Sequence, residues 1–198
     1  MSATTKIDGI GYPTDALDIL KSKAVGDLFR AYVKSVYADE NTEYLDLGAR
    51  FDPSRHYAKF YKAGGAKELN LKGGLLEDAR ALGEAGNWRD KTAWKSIHAE
   101  ALRTCKYQLE SNFVVDFYKS KPFRAMHEKA VRKLIRIPPA MKKQVGVDDD
   151  EVLIDLVFLF MSGRKDLGNK AAKALVKKKK MTMGPSDLVA VLKKRFRF

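Results

Sequence analysis

The chain reads as all-α, and three observations say so. Apolar residues recur with a 3.6-residue period along most of its 198 residues, runs of alternating β-branched residues are few, and only six prolines interrupt it. An apolar fraction of 45% is that of a folded globular chain, and the length suits one ordinary domain or one domain with an appended subdomain. The expectation is a helical bundle of about nine to ten helices, including a C-terminal helical extension.

After a polar start through Gly11, Pro13 and Thr14 open a short helical pattern with Ala16, Leu17, Ile19 and Leu20 as its apolar positions. Ser22 caps a second helix, along which Leu28, Phe29, Tyr32, Val33, Val36 and Tyr37 line one stripe. The turn Ala38-Asp39-Glu40-Asn41 breaks that stripe, and Tyr44, Leu45 and Leu47 begin a third helix over about 41–50. Two helices around a Glu-Asn corner place those two side chains at a tip, free to touch something else. Asp52 before Pro53 starts a fourth helix carrying Tyr57, Phe60 and Tyr61, ended by Gly64 and Gly65. Residues 66–74 read as a loop with Leu69 and Leu71 buried on either side of Asn70. A helix over 75–85 closes at Gly86-Asn87. Asp90 or Thr92 caps a longer one whose stripe is Trp94, Ile97, Ala101, Cys105 and Leu109, punctuated by Ser111-Asn112. Phe113, Val114, Phe117 and Tyr118 form a short apolar helix before the break at Lys121-Pro122.

Further helices are expected over 122–135, 152–161, 166–178 and 187–195. Pro138-Pro139 ends the first, Asp148 to Glu151 place negative charge at the start of the second, and Gly184-Pro185-Ser186 restarts the chain before the last. The charge is strongly one-sided. Residues 1–120 carry 18 Lys and Arg against 17 Asp and Glu, whereas residues 121–198 carry 20 against 8, a net of +12. Such asymmetry suggests near-neutral recognition in the first part and a polyanion or anionic surface for the second.

Several chemistries find no footing. A single cysteine, Cys105, rules out an internal disulfide framework and suits a reducing compartment. No charged leader with an apolar core is visible, and the longest apolar run, 152–161, is short and contains Asp155, so the chain is expected to be soluble and cytoplasmic. His56, His98 and His127 are far apart, no metal-ligand spacing occurs, and Asp148 to Glu151 lack the alternation and glycine of a calcium loop. Gly9-Ile10-Gly11 lacks a third glycine and a preceding strand, and no phosphate-binding Gly-Lys-Ser/Thr is present. We therefore expect no metal, no cofactor, no small-molecule substrate and no catalytic nucleophile.

The stretch 26–45, Gly-Asp-Leu-Phe-Arg-Ala-Tyr-Val-Lys-Ser-Val-Tyr-Ala-Asp-Glu-Asn-Thr-Glu-Tyr-Leu, resembles the family pattern G-x-x-x-F-x-x-F-L-K-S-E-x-S-E-E-N-I-x-F-W of RGS domains, the helical regulators of heterotrimeric G-protein signalling. Lys67-Glu68-Leu69-Asn70-Leu71 is similar to that family's K-E-V/I-N-L/I-D loop, and Val114 to Ser120 to its closing Y-x-x-F-L-x-S. The three motifs occur in the family's order over about residues 14–125. The resemblance implies an RGS-like domain over 1–125 with a basic helical extension, 126–198, packed on or beside it. It implies a G-protein α subunit or related protein as partner, and faster GTP hydrolysis through positioning of the partner's own groups. Glu40 and Asn41 would touch the switch region, Asn70 would orient the partner's glutamine, and Asn112 falls where the family has an acid beside a switch threonine. The chain departs from the pattern at Val36 (family glutamate), Leu45 (tryptophan), Phe113 (serine) and Asp116 (arginine), and Gly73-Gly74 follow the asparagine loop.

Blander readings of the same residues stay open. Asn41 suits a helix cap, and Asn70 can satisfy its own loop backbone. Lys177, Lys178, Lys179 and Lys180, with Lys193, Lys194, Arg195 and Arg197, suit a solvated face. The aromatics interleaved in the terminal Lys-Lys-Arg-Phe-Arg-Phe instead suit a nucleic acid or an anionic membrane surface, the latter making the protein peripheral to a membrane.

Overall fold

The computed structural model describes residues 4–7, 10–71 and 73–196. Twelve α-helices make up most of them. The all-α expectation holds, with twelve helices among the described residues where about nine to ten were expected, and with two differences of detail. A hairpin of two short strands, β1 (Thr4–Ile7) and β2 (Ile10–Pro13), stands in the stretch read as a polar start. A helix over Pro139–Val145 occupies a stretch read only as a break, because Pro139 sits in its first turn, where the missing N–H costs nothing. The chain divides into two compact units: residues 4–5 and 11–124, and residues 6–7, 10 and 125–196.

The first unit contains α1 (Ala16–Lys21), α2 (Lys23–Ser35), α3 (Asp39–Leu47), a 3-10 turn (Gly48–Arg50), α4 (Pro53–Phe60), α5 (Leu75–Glu84), α6 (Lys91–Asn112), α7 (Val114–Lys119) and the first turn of α8 (Lys121–Leu134). Its helix starts are chemically specified. The carboxylates of Asp15, Asp52 and Asp90 accept backbone N–H groups of the first turns of α1, α4 and α6, satisfying donors that a helix leaves open. Where α1 turns into α2 the backbones nearly touch, and a Cβ on Gly26 would lie 2.8 Å from the Leu20 carbonyl oxygen.

The long helix α6 runs through this unit, packing against α1, α3, α5 and α7. Trp94, Ile97, Ala101, Cys105 and Leu109 form its buried stripe. Phe29 and Phe117 meet edge to face at 5.0 Å, and Phe123 closes on Phe117, Tyr118 and Tyr12. Burial pushes the Cys105 thiol up to about 12, so it stays protonated at neutral pH.

One polar chain crosses the apolar interior. His98 donates Nε2–H to the Gly48 carbonyl at 2.9 Å, which leaves Nδ1 to accept the Tyr44 hydroxyl at 2.7 Å, and Tyr61 bonds to Tyr44 in turn. Burial lowers the His98 pKa and keeps the ring neutral, as that pattern requires.

The second unit holds the rest of α8, α9 (Pro139–Val145), α10 (Asp150–Met161), α11 (Lys165–Lys179) and α12 (Pro185–Phe196). Helix α10 supplies Leu153, Leu156, Val157, Phe158 and Phe160 to its core, where Leu188 and Leu192 of α12 meet them. Gly168 of α11 lets that helix approach Phe160, since a Cβ there would sit 2.8 Å from the ring. No helix among the described residues is long and apolar enough to cross a membrane.

Candidate functional site

Helix α2 ends where the Ala38 N–H reaches the Val33 carbonyl (3.0 Å) and the Tyr37 N–H reaches that of Lys34 (3.2 Å). This closure needs a left-handed residue, and Tyr37 supplies it with φ of 56°. A tyrosine in that conformation costs roughly 1–2 kcal/mol relative to ordinary backbone. Its ring is 93% exposed, so no packing within the first unit offsets that cost.

Helix α3 begins at Asp39, two residues before the expected start, so Glu40 and Asn41 lie in its first turn. The expected tip is therefore half right. Glu40 is half-buried, whereas Asn41 is only 3% exposed and forms part of the wall. Asn41 does not cap the helix: its Nδ2 donates to Glu40 Oε1 at 3.1 Å, and its Oδ1 is buried with no donor among the described residues. Burial, then the nearby Asp39 and Glu43, raises the Glu40 carboxyl above its usual range.

The loop that carries Asn70 is held from both sides. Lys67 reaches Asp39 at the start of α3 (2.6 Å), and Glu68 pairs with Arg80 of α5 (2.6 Å). The Lys67 ammonium holds the Asp39 carboxyl below its usual range, and Asp39 raises Lys67 in return. Leu69 and Leu71 are both buried, and the Leu69 N–H donates to the Phe60 carbonyl at 2.9 Å. Gln108 of α6 donates to the Asn70 carbonyl at 2.6 Å. The Asn70 side chain is exposed and makes no hydrogen bond among the described residues, so it does not serve its own loop.

Glu40, Asn41, Asn70 and Asn112 line one cleft of about 630 Å³. They come from the start of α3, the 66–74 loop and the last residue of α6. Asn112 is exposed, and its Oδ1 accepts the Ser111 hydroxyl at 3.2 Å. Helix α6 adds residues that sequence reasoning passed over, among them Arg103, Tyr107 and Gln108. Tyr107 is 63% exposed, and the one available signal was an aromatic lying off the Trp94 to Leu109 stripe. The cleft offers amide donors and acceptors, two carboxyls, Glu40 and Glu100, the latter paired with Arg103, and an exposed phenol. Among the described residues no group of three His, Cys, Asp or Glu side chains forms a metal site.

The candidate anion-binding residues lie in the second unit. Lys177, Lys178 and Lys179 form the last turn of α11, with Lys180 left-handed after it, and Lys193, Lys194 and Arg195 lie in the last turn of α12. None pairs with a carboxylate among the described residues. Both clusters suit helix C-termini, where the backbone carbonyls favour positive charge. Lys194 and Arg195 share a cavity of about 390 Å³ with Met141 and Val191. Arg197 lies outside the described residues.

No protein-family model, no curated protein and no solved structure matches this chain.

Proposed function

We propose that the first unit is an RGS-like protein-interaction domain that binds a G-protein α subunit or a related signalling partner and speeds its GTP hydrolysis by positioning the partner's groups. One observation carries this reading: Glu40 and Asn41 of the first motif, Asn70 of the second and Asn112, just before the third, line a single cleft, and the Asn70 side chain has no hydrogen-bond partner among the described residues while its backbone is anchored on both sides. A neutral amide on a rigid loop can hold a partner's glutamine and water in line for attack, which requires neither nucleophile nor metal from this chain. Val36, Phe113 and Asp116 replace residues the family uses at this face, and each lost charge-assisted contact weakens docking by on the order of 2 kcal/mol.

Single-turnover GTP hydrolysis by an α subunit tests the reading. Asn70→Ala should lower the acceleration by about a hundredfold, the cost of losing a positioning contact, while binding to the GDP·AlF₄⁻-loaded subunit weakens far less. Equal loss in both measurements, or no binding of the loaded subunit at high micromolar concentration, would sink it.

A second reading rests on the lysine and arginine clusters that end α11 and α12 without carboxylate partners among the described residues. It takes the second unit as a binder of nucleic acid or anionic membrane, with the first unit structural. If the anion is a membrane, the protein would work in the cytoplasm at a membrane surface.

A further inference from the structure

A second cavity of the first unit, about 430 Å³, opens where the start of α4 meets the first two turns of α6, and none of the cleft residues above lines it. Aromatic rings form much of its wall. Phe51 stacks on His98 at 4.3 Å and 7°, and Trp88 lies nearly parallel to Trp94 at 5.9 Å and 23°. These are the only two tryptophans in the chain.

The polar groups around these rings are mostly positive. Lys91 and Lys95 stand one turn apart on α6, both exposed, and neither pairs with a carboxylate among the described residues. They belong to the first turns of a 22-residue helix, whose N-terminus is capped by the Asp90 carboxylate. The Trp94 indole N–H is taken by the Asn87 carbonyl at 3.0 Å, and both His98 nitrogens are engaged, so neither competes for a ligand. The Trp88 indole N–H has no acceptor among the described residues. The carboxylate in the lining, Asp52, is occupied in capping α4 through the Ser54 N–H (2.9 Å) and hydroxyl (2.7 Å).

We propose that this cavity is a binding site for small planar aromatic anions, an aryl ring bearing a carboxylate, sulfonate or phosphate. Flat walls of aromatic carbon select a ring, because offset and edge contacts between π systems add to the area buried. Two exposed lysines in the lining, without carboxylate partners among the described residues, select negative charge. An apolar molecule leaves the lysines without a role, and a bare phosphate leaves the rings without one. The volume lies within the roughly 300–1,000 Å³ of small-molecule sites.

The test uses the full chain and 2-naphthalenesulfonate as probe. Each tryptophan gives one indole N–H signal in a proton–nitrogen correlation spectrum, so the site has two built-in reporters. Both signals should shift saturably, whereas neutral 2-naphthalenemethanol and ring-free methanesulfonate should shift them weakly. Lys91→Gln with Lys95→Gln should weaken the naphthalenesulfonate about fivefold to tenfold, the sum of two exposed charge contacts. The backbone signals should stay in place and show that the variant is folded. Absence of saturable shifts by about 10 mM probe, a range that includes very weak sites, overturns the proposal. Equal binding of the neutral alcohol also overturns it, and that comparison needs no variant.

Discussion

Asn41 is a residue whose placement opposes stability. Its Oδ1 is buried without a donor among the described residues, a defect that costs about 1–3 kcal/mol. An isosteric apolar side chain removes that cost and gives up only the bond to Glu40. Asn41→Leu should therefore stabilise the protein by on the order of 1 kcal/mol, read as a higher urea midpoint at unchanged slope. Loss of stability would mean that the Glu40 bond outweighs the defect. If the cleft binds a partner, the same substitution should weaken that binding, because function then explains why the defect is kept. Tyr37 shows the same logic in the backbone: a left-handed, fully displayed aromatic beside the cleft.

Between elements, the Asp39–Lys67 pair decides where Asn70 sits. The Asp39 side chain is 16% exposed and that of Lys67 28%, so the pair is better shielded than a surface ion pair. The Asp39 carboxyl is lowered in the folded state, so its contribution is present above its unfolded value of 3.8 and is lost as pH falls through the folded value. Lys67 is raised, so its contribution is present below 10.5 and is lost as pH climbs past that. Lys67→Met should thus cost roughly 1 kcal/mol across neutral pH, with the gap to the native chain closing below about 3.8. Urea unfolding at a series of pH values measures it. A gap unchanged down to pH 3 would show that the pair contributes through packing and not through charge. In hydrogen exchange at neutral pH, the Leu69 amide should lose protection in this variant before the core of α6 does.

Across the whole molecule, charge is divided between the two parts of the chain. Residues 121–198 hold nearly all of the net positive charge, and lysines crowd the last turns of α11 and α12. Contacts of that kind release counterions, so affinity for nucleic acid or anionic vesicles should fall about a thousandfold or more between 50 and 200 mM salt if six or more charges engage. Replacing Lys177, Lys178, Lys179, Lys193, Lys194 and Arg195 by glutamine, which leaves the α12 core residues in place, should abolish it, and an affinity indifferent to salt would rule the second reading out. Recognition by the near-neutral first part should respond much less to the same change.

The helices were legible in the sequence because the signals are local. Asp52 before Pro53, Asp90 and the Trp94 to Leu109 stripe specify their elements within a few residues, whereas Ser22, expected to cap α2, makes no side-chain cap hydrogen bond and Asp15 caps α1 instead of the Pro13-Thr14 start that was expected. The hairpin at the N-terminus and α9 were missed, the first because its strands are only four residues long, the second because two prolines read as a stop. Glu40, Asn41, Asn70 and Asn112 could each be named from motif order. That Asn41 is wall and Asn70 has no side-chain partner among the described residues, and that α6 brings Arg103 and Tyr107 beside them, depends on burial and on pairs up to tens of residues apart. The aromatic cavity is of the same kind: Phe51 and His98 stack across 47 positions of chain, and no local pattern encodes that. Sequence alone determined the elements and the one-sided charge, since periodicity, capping and composition act over a few residues. Tertiary structure decided which polar groups are left without partners, because that depends on what the fold brings near each atom.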